Sequence, residues 1–363
     1  MIKVPYNVIN FAQGNTEPYE LFKDYYNHYQ AIHFGKKLPY REGDFADKTR
    51  AMDKLLRAEI ARHANVSGEF STEVLAVNPM VSWAVFAVVN AMIDMVLPDH
   101  MIDSTGIYTD VRTGGFGDSF AFEVKPRDLF IVTKAGRGKR NAEIQMNFTG
   151  QATVTPTEHD ITVGVTLYEV LSGKINLAEF VMKAVMAIES EMLLDVYTAL
   201  NGAMTNLPST PVDERLQVTG WTQDDGTDLA EKVTAWNGGS KAVFVGTSSA
   251  LAKILPAGNN YRFDIDSDFV RRGYLTTAFG YDLFAMRNVA DHKNPFKMVM
   301  DGKRIYVLSP SSDKLVKLCL EGSTIAITSG VYENANLHQT TTLKKSWGCG
   351  VITNSIAGMI TLS

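Results

Sequence analysis

Residues 133–140, T-K-A-G-R-G-K-R, place two glycines among four cations between two stretches of strand-like sequence. The apolar run 129–132 precedes this segment, and Ile144, Met146 and Phe148 follow it at one parity, with polar residues between them. A period of two is typical of β-strands, and glycine tolerates the positive φ that a tight reversal requires. The sequence therefore predicts a long β-hairpin whose tip is the cationic segment.

The same glycines and cations raise the alternative of a phosphate-binding loop. Such a loop needs G-x-x-x-x-G-K-[ST] followed at once by a helix, whose free N–H groups hold the anion. Here one residue separates Gly136 from Gly138, and Arg140 stands where the hydroxyl residue belongs. Strand patterns flank the segment on both sides, so we interpret the glycines as the turn of the hairpin.

The predicted hairpin is long compared with the body of the protein. One arm, from Ser119 to Lys134, has about 16 residues and extends over about 50 Å. A compact domain of 363 residues has a radius of gyration of about 21 Å. The ribbon could fold back as part of a sheet, but it more naturally projects onto another subunit. We therefore expect the tip to contact protein, through Lys134, Arg137, Lys139 and Arg140.

Charge and cysteine content argue against several classes of protein. The formal charge of −5 and the pI near 5.8 argue against a protein that coats nucleic acid, because such domains are usually basic. Cys319 and Cys349 lie far apart without zinc-ligand spacing, which predicts neither a disulfide framework nor a metal site. The most apolar run, 81–97, contains Asp94 and other polar residues, so neither secretion nor membrane insertion is predicted.

Three helices are predicted in the first 202 residues. Met52, Leu56 and Ile60 have helical spacing in a charged segment. Residues 73–95 form a second helix that is expected to stop at Leu97-Pro98. The third spans 175–202, with a capping residue at its start and Asn201-Gly202 as its stop. The residues expected to line its buried face are Leu177, Val181, Ala184, Ile188, Met192 and Leu200.

Shorter mixed elements follow residue 203 and indicate a separate α/β subdomain. Its strand signals are Ala242–Val245, Asp282–Met286, Met298–Met300 and Arg304–Leu308, and closing strands at 348–352 and 357–362 are expected to return to the first core.

Catalytic motifs are weak throughout the chain. Ser248 follows Gly246 at a strand-to-helix turn, as in a hydrolase elbow, but Ala250 replaces the last glycine and no histidine–acid pair can be assigned. Ser248 or Ser249 serves equally well as a helix N-cap. No catalytic residue, cofactor or metal ligand is predicted.

The order of these parts resembles the major capsid proteins of tailed bacteriophages, which have the Hong Kong 97-type α+β fold. The resemblance covers nearly the whole chain and rests on architecture, without a short diagnostic motif. It implies an N-terminal arm, an extended hairpin called the E-loop, a P domain with a long spine helix and an α/β A domain. The implied boundaries are 1–72 for the arm, 73–111 for the first part of the P domain, 112–160 for the E-loop, 161–203 for the P domain with its spine helix, 204–339 for the A domain and 340–363 for the C-terminal return to the P domain.

By this resemblance the chain is expected to assemble with itself, as hexamers and pentamers of an icosahedral shell that encloses double-stranded DNA. The expected location is the virion capsid, after assembly in the host cytoplasm. Scaffold, portal and decoration proteins are further expected partners, with only weak, non-specific contact to DNA and none to a membrane. Some family members cross-link an E-loop lysine to a neighbour, and Lys134 or Lys139 has that position, but no acceptor residue matches. An encapsulin-type compartment and a serine hydrolase using Ser248 are the alternatives.

Overall fold

The computed structural model describes most of the chain between residues 22 and 362. The described ranges are 22–23, 25–29, 45–65, 79–124, 144, 149–166, 177–209, 215–254, 272–286, 288, 290–291, 296–310, 313–328 and 338–362. No helix in these ranges is long and apolar enough to cross a membrane.

Three long helices and a short helical segment form one side of the main core. The long helices are α1 (Phe45–Ala64), α2 (Pro79–Thr105) and α3 (Leu177–Thr205). Met52, Leu56 and Ile60 of α1 are buried, which confirms the spacing seen in the sequence. The helical residues 25–29 also contribute buried tyrosines to this core. Part of the predicted arm therefore packs on its own protomer.

Helix α2 does not stop at Leu97-Pro98 but continues through Pro98 to Thr105. A proline inside a helix removes one hydrogen bond and costs about 3 kcal/mol. The residues after it offset this cost, because Met101 is fully buried in the main core and His100 contacts α3. The expected stop was wrong because tertiary packing on both sides of the proline outweighs the local penalty.

Helix α3 is confirmed as the long spine, but it passes through Asn201-Gly202 and ends at Thr205. Gly202 has no positive φ, and Thr205 Oγ1 donates a hydrogen bond to the Asn201 carbonyl at 2.7 Å. Met204 lies in the core beyond the expected stop. Four residues of the predicted face are buried, while the side chains of Leu177 and Val181 lie outside the described part; the four are Ala184, Ile188, Met192 and Leu200.

A four-stranded sheet packs against these helices. Its strands are β1 (Thr109–Gly114), β10 (Val316–Thr328), β11 (His338–Val351) and β4 (Thr157–Thr166), in that order across the sheet. Strand β1 is parallel to β10, whereas β11 is antiparallel to both β10 and β4. The register between β10 and β11 shifts between Glu321 and Ile325, at a β-bulge. A separate pair joins β2 (Phe120–Val124) to β3 (Gly150–Val154).

A six-stranded mixed sheet forms the second half of the molecule. Its members, in chain order, are β5 (Gln217–Thr219), β6 (Val243–Gly246), β7 (Thr277–Ala278), β8 (Tyr281–Ala285), β9 (Arg304–Leu308) and β12 (Gly358–Thr361). Two helices, α4 (Gln223–Trp236) and α5 (Ser248–Leu251), pack on one face around Leu229 and Phe244. The other face, which includes Val245 and Tyr306, joins the main core.

The strand signals at 242–245, 282–286 and 304–308 are confirmed, but 298–300 holds only an isolated bridge between Met298 and Ala290. The mixture of helices and strands confirms the α+β class. Strand β10 lies within the range expected for the A domain but pairs with β1 and β11 of the four-stranded sheet. Of the two closing strands, residues 348–351 belong to β11 in that sheet, as expected. Strand β12 pairs with β5 and β9 in the six-stranded sheet, while Ala357 and Met359 pack in the main core.

Candidate assembly site

The base of the predicted hairpin is an antiparallel strand pair. Phe120 faces Val154 and Val124 faces Gly150 in the register of β2 and β3. Phe120 and Phe122 are buried against Cys319 of β10, while Glu123 is exposed. Alternate residues therefore anchor the two strands on the body, as their period of two predicts.

Two cations hold the ring of Phe122 in place. The guanidinium of Arg112 lies 4.0 Å from the ring centroid and the ammonium of Lys317 lies 5.6 Å from it. Cations within about 6 Å of an aromatic face are attracted by its electron density. The backbone N–H of Gly117 also donates to Glu321 Oε1 at 2.7 Å, which ties the β1–β2 turn to β10.

The four tip cations Lys134, Arg137, Lys139 and Arg140 lie outside the described residues, as do the two lysines considered for cross-linking. The outermost described pair, Val124 and Gly150, leaves residues 125–149 between the two strands. Ile144 in this stretch has the parity of the buried hairpin face but is 77% exposed. Ile144 precedes β3, which begins at Gly150.

A buried ion pair ties α2 to the four-stranded sheet. Lys345 Nζ lies 2.7 Å from Asp94 Oδ1, and the two side chains are 5% and 3% exposed. The β10 bulge presents Thr324 to the same carboxylate, with its N–H 2.8 Å from Oδ2 and its Oγ1 2.6 Å from Oδ1. Lys345 also donates to the Gly322 carbonyl at 2.8 Å. The carboxylate is thus fully engaged as an ion-pair and hydrogen-bond acceptor.

A second buried cluster fixes residues 25–29 to the helices. Tyr26 Oη donates to Glu189 Oε2 at 2.5 Å, and His100 Nδ1 lies 2.8 Å from Glu189 Oε1. The rings of Tyr26 and His100 meet edge to face at 5.1 Å. These contacts join the N-terminal segment, α2 and α3 at one carboxylate.

Sequence reasoning missed both clusters, although one signal was present. Asp94 is an isolated charge inside the apolar run 81–97. A charge in a buried helix requires a partner, because an unpaired buried charge is costly. The partner itself could not be inferred, since Lys345 is 251 residues away along the chain.

The turn at Ser248 is a helix start. Thr247, and not Ser248 or Ser249, is the N-cap of α5, and its Oγ1 accepts a hydrogen bond from the Ala250 N–H at 3.3 Å. Ser248 is exposed, and the described residues place no hydrogen-bonded base beside it. The same residues contain no cluster of acidic, histidine or cysteine side chains that could hold a metal ion.

Comparison with known proteins points to one family. The family model described as "SPbeta prophage-derived putative capsid protein YonB" matches residues 45–361. No curated protein is significantly similar in sequence. Among solved structures, the mature capsid of bacteriophage PhiM1 has 12% identity and a TM-score of 0.46, with 70% of this chain and 86% of that chain covered. The capsid of cyanophage P-SCSP1u has 12% identity and a TM-score of 0.44, with 71% and 86% covered.

The family match begins at the first residue of α1 and ends at the last residue of β12, so it includes both large sheets and the base of the hairpin. This chain therefore belongs to the YonB family of prophage-derived capsid proteins.

Proposed function

We propose that this chain is the major capsid protein of a tailed bacteriophage, and that its copies self-assemble into an icosahedral shell around double-stranded DNA. The observation that carries this proposal is the capsid-family match over residues 45–361. The role is structural and requires no catalytic residue. Hexamers and pentamers of the shell would form in the host cytoplasm, with scaffold, portal and decoration proteins as further partners.

The proposed division into domains follows from the family, with changes at the strands. The arm is residues 1–72 and the E-loop is 112–160, apart from its two ends, which lie in β1 and β4. The P domain contains α2, α3 and the whole four-stranded sheet, which adds β10 and these two ends to it. The A domain contains the six-stranded sheet, which adds β12. The anchored base formed by β2 and β3 supports an E-loop that is held firmly at its root.

Net charge supports a shell that encloses DNA without binding it tightly. At −5, the chain as a whole is repelled by the phosphate backbone, and strong non-specific binding of DNA requires many basic contacts. A capsid wall must release its DNA at ejection, which weak contact permits.

Electron microscopy of purified particles, together with their nucleic-acid content, tests this proposal. The chain would be expressed with the neighbouring genes of its prophage, treated with nuclease and fractionated by size. We expect closed particles that protect double-stranded DNA when the packaging genes are present. Particles that contain a cargo enzyme and no DNA would favour an encapsulin-type compartment, and a chain that never assembles would overturn the proposal.

A further inference from the structure

A groove of about 580 Å³ lies between α3 and the part of the four-stranded sheet formed by β4 and β11. Strand β4 is an edge strand of this sheet, and its residues 158–161 line the groove. Small-molecule sites have a volume of about 300–1,000 Å³ and combine an apolar lining with a few polar groups. The groove has this size, and its apolar lining residues are Ile161, Ala187, Ile188, Leu343 and Trp347.

Two carboxylates on opposite walls of the groove have no ion-pair or hydrogen-bond partner among the described residues. Asp160 lies on β4 and Glu191 lies on α3. The lysines of β11 are engaged elsewhere, because Lys344 Nζ lies 3.3 Å from Glu158 Oε2 and Lys345 belongs to the buried ion pair with α2. The groove therefore presents two negative charges that the described part of the chain does not neutralise.

The inner wall of the groove is aromatic and held in place by its own contacts. Trp347 Nε1 donates a hydrogen bond to Asp195 Oδ2 at 2.8 Å. The His159 ring stacks on the indole, with 3.6 Å between the ring centroids and 7° between the planes. His159 Nδ1 also lies 3.1 Å from the Thr157 carbonyl oxygen. Because these rings are already fixed, a ligand that packs on them loses less free energy to ordering.

The combination of apolar lining and unpaired carboxylates selects a ligand by two properties. A hydrated divalent cation gains little from an apolar lining, since Mg²⁺ gives up its water reluctantly. A neutral apolar molecule leaves both carboxylates unpaired. An alkyl chain with ammonium groups at its ends buries its methylene groups and also pairs with both carboxylates. Such amines are protonated at neutral pH, as the lysine side chain is.

We propose that this groove binds a linear aliphatic polyamine. One ammonium group pairs with Asp160 and another with Glu191, while the methylene chain between them lies against Ile188 and Trp347. This inference goes beyond the proposed shell function and does not rest on it.

The length of the groove favours a small polyamine over a basic peptide. The groove follows β4 only from Glu158 to Ile161, which is about 13 Å of strand. A strand in a sheet usually has about 5–6 residues, and a peptide that adds to a sheet edge gains its affinity from backbone hydrogen bonds along that length. A polyamine needs only the two carboxylates and the apolar lining between them.

Isothermal titration calorimetry of the purified chain with spermidine tests the proposal. We expect one spermidine to bind per chain, with an affinity that falls as salt is added, because salt screens the charges. Hexylamine has the apolar chain with a single charge, and Mg²⁺ has charge without an apolar chain. Each of these comparison ligands should bind about tenfold more weakly than spermidine, or less tightly still.

Two variants test the carboxylates and the groove independently. Asp160→Asn with Glu191→Gln removes both charges and should lower the affinity for spermidine about tenfold, which is about 1.4 kcal/mol. Ala187→Phe keeps the charge and fills the groove from α3, so it should abolish binding. The matched control, Asp103→Asn with Glu231→Gln, removes two exposed acids elsewhere and should bind like the wild type.

Thermal melting gives a second readout of the same binding. A ligand that binds only the folded chain raises its melting temperature. Spermidine should therefore stabilise the wild type and the control more than it stabilises the charge variant or the groove-filling variant. Melting without ligand establishes that each variant is folded, and the charge variant decides the test if Ala187→Phe does not fold.

Three results would overturn the proposal. Equal binding of spermidine by the charge variant and the control would show adsorption to the acidic surface as a whole. Binding of Mg²⁺ as tight as that of spermidine would show that charge alone is recognised. Tighter binding of trilysine, which matches spermidine in charge, would assign the groove to a basic peptide. None of these measurements requires assembly, so each result leaves the proposed shell function to its own test.

Discussion

Two side chains that lie 251 residues apart, Asp94 and Lys345, join α2 to the four-stranded sheet in a buried position. Burying two charges costs several kcal/mol in lost hydration, which is offset only when hydrogen bonds engage the remaining polar atoms. Thr324 and the Gly322 carbonyl supply these bonds, and both lie in the bulge of β10. The bulge is therefore part of the ionic cluster, because it brings a backbone N–H within reach of the carboxylate.

Removing one partner of this pair should strongly destabilise the protomer. Lys345→Met leaves the Asp94 carboxylate buried without its cation, and we expect the free energy of unfolding to fall by about 3–5 kcal/mol. The adjacent Lys344 pairs with Glu158 at a more exposed position, so Lys344→Met should cost no more than about 1 kcal/mol. Urea unfolding of both variants measures the difference. Equal losses in the free energy of unfolding would show that the buried pair stabilises the protomer no more than the exposed pair does.

Both cysteines should resist alkylation in the folded protein. Burial raises the pKa of the Cys319 and Cys349 thiols to about 12 each, and only the thiolate reacts. Iodoacetamide at pH 8 should therefore label neither residue until urea unfolds the chain, as read by mass spectrometry. Above about pH 9 the unfolded chain loses thiol protons that the folded chain keeps, so stability should fall as the pH rises further. Labelling of the folded chain at the unfolded rate would contradict this account.

At the scale of single elements, substitutions at the start of α5 distinguish a structural role of this turn from a catalytic role of Ser248. Thr247→Ala removes the hydroxyl that accepts the Ala250 N–H and should cost about 0.5–2 kcal/mol. Ser248→Ala changes an exposed side chain and should stay within about 0.5 kcal/mol. Chemical denaturation of the two variants provides the comparison. A larger loss for Ser248→Ala, or a hydrolase activity that only this substitution abolishes, would contradict the assignment.

The spine helix α3 offers a test of its buried face. Ile188 of α3 is buried in the main core, so Ile188→Ala should cost about 2–5 kcal/mol through lost transfer energy and the cavity left behind. Lys183→Ala, on the exposed side of the same helix, should change stability by about 0.5 kcal/mol or less. Thermal melting checks both values. An unchanged melting temperature for Ile188→Ala would mean that this face is not packed.

Residue spacing in the sequence correctly predicted those helices and strands whose packing in the fold favours the same structure. The period of two at Phe120 and Phe122 and the helical spacing at Met52 and Leu56 both hold in the structure. Strand β10 escaped prediction because Gly322 and Ser323 interrupt its apolar residues, as a turn would. Gly322 instead has a φ of +59° in the bulge. Pairing of β12 with β5 and β9 also depends on tertiary contacts that no local pattern records.

At the scale of the whole molecule, the described fold has one continuous main core and a hairpin whose base packs on β10. The core of α1, α2 and α3 continues through the four-stranded sheet into one face of the six-stranded sheet. The N-terminal segment is fixed to this core by Tyr26 and Glu189. We therefore expect protomers to assemble as preformed units.

The mass of the assembled protein shows whether this chain builds a closed shell. Sedimentation velocity of the purified chain, alone and co-expressed with a scaffold protein, separates a protomer of 40.0 kDa from a closed shell. A self-assembling capsid protein should give a discrete species of megadalton mass that electron microscopy shows as closed particles. A chain that remains a folded monomer or small oligomer with every co-expressed partner would contradict the account.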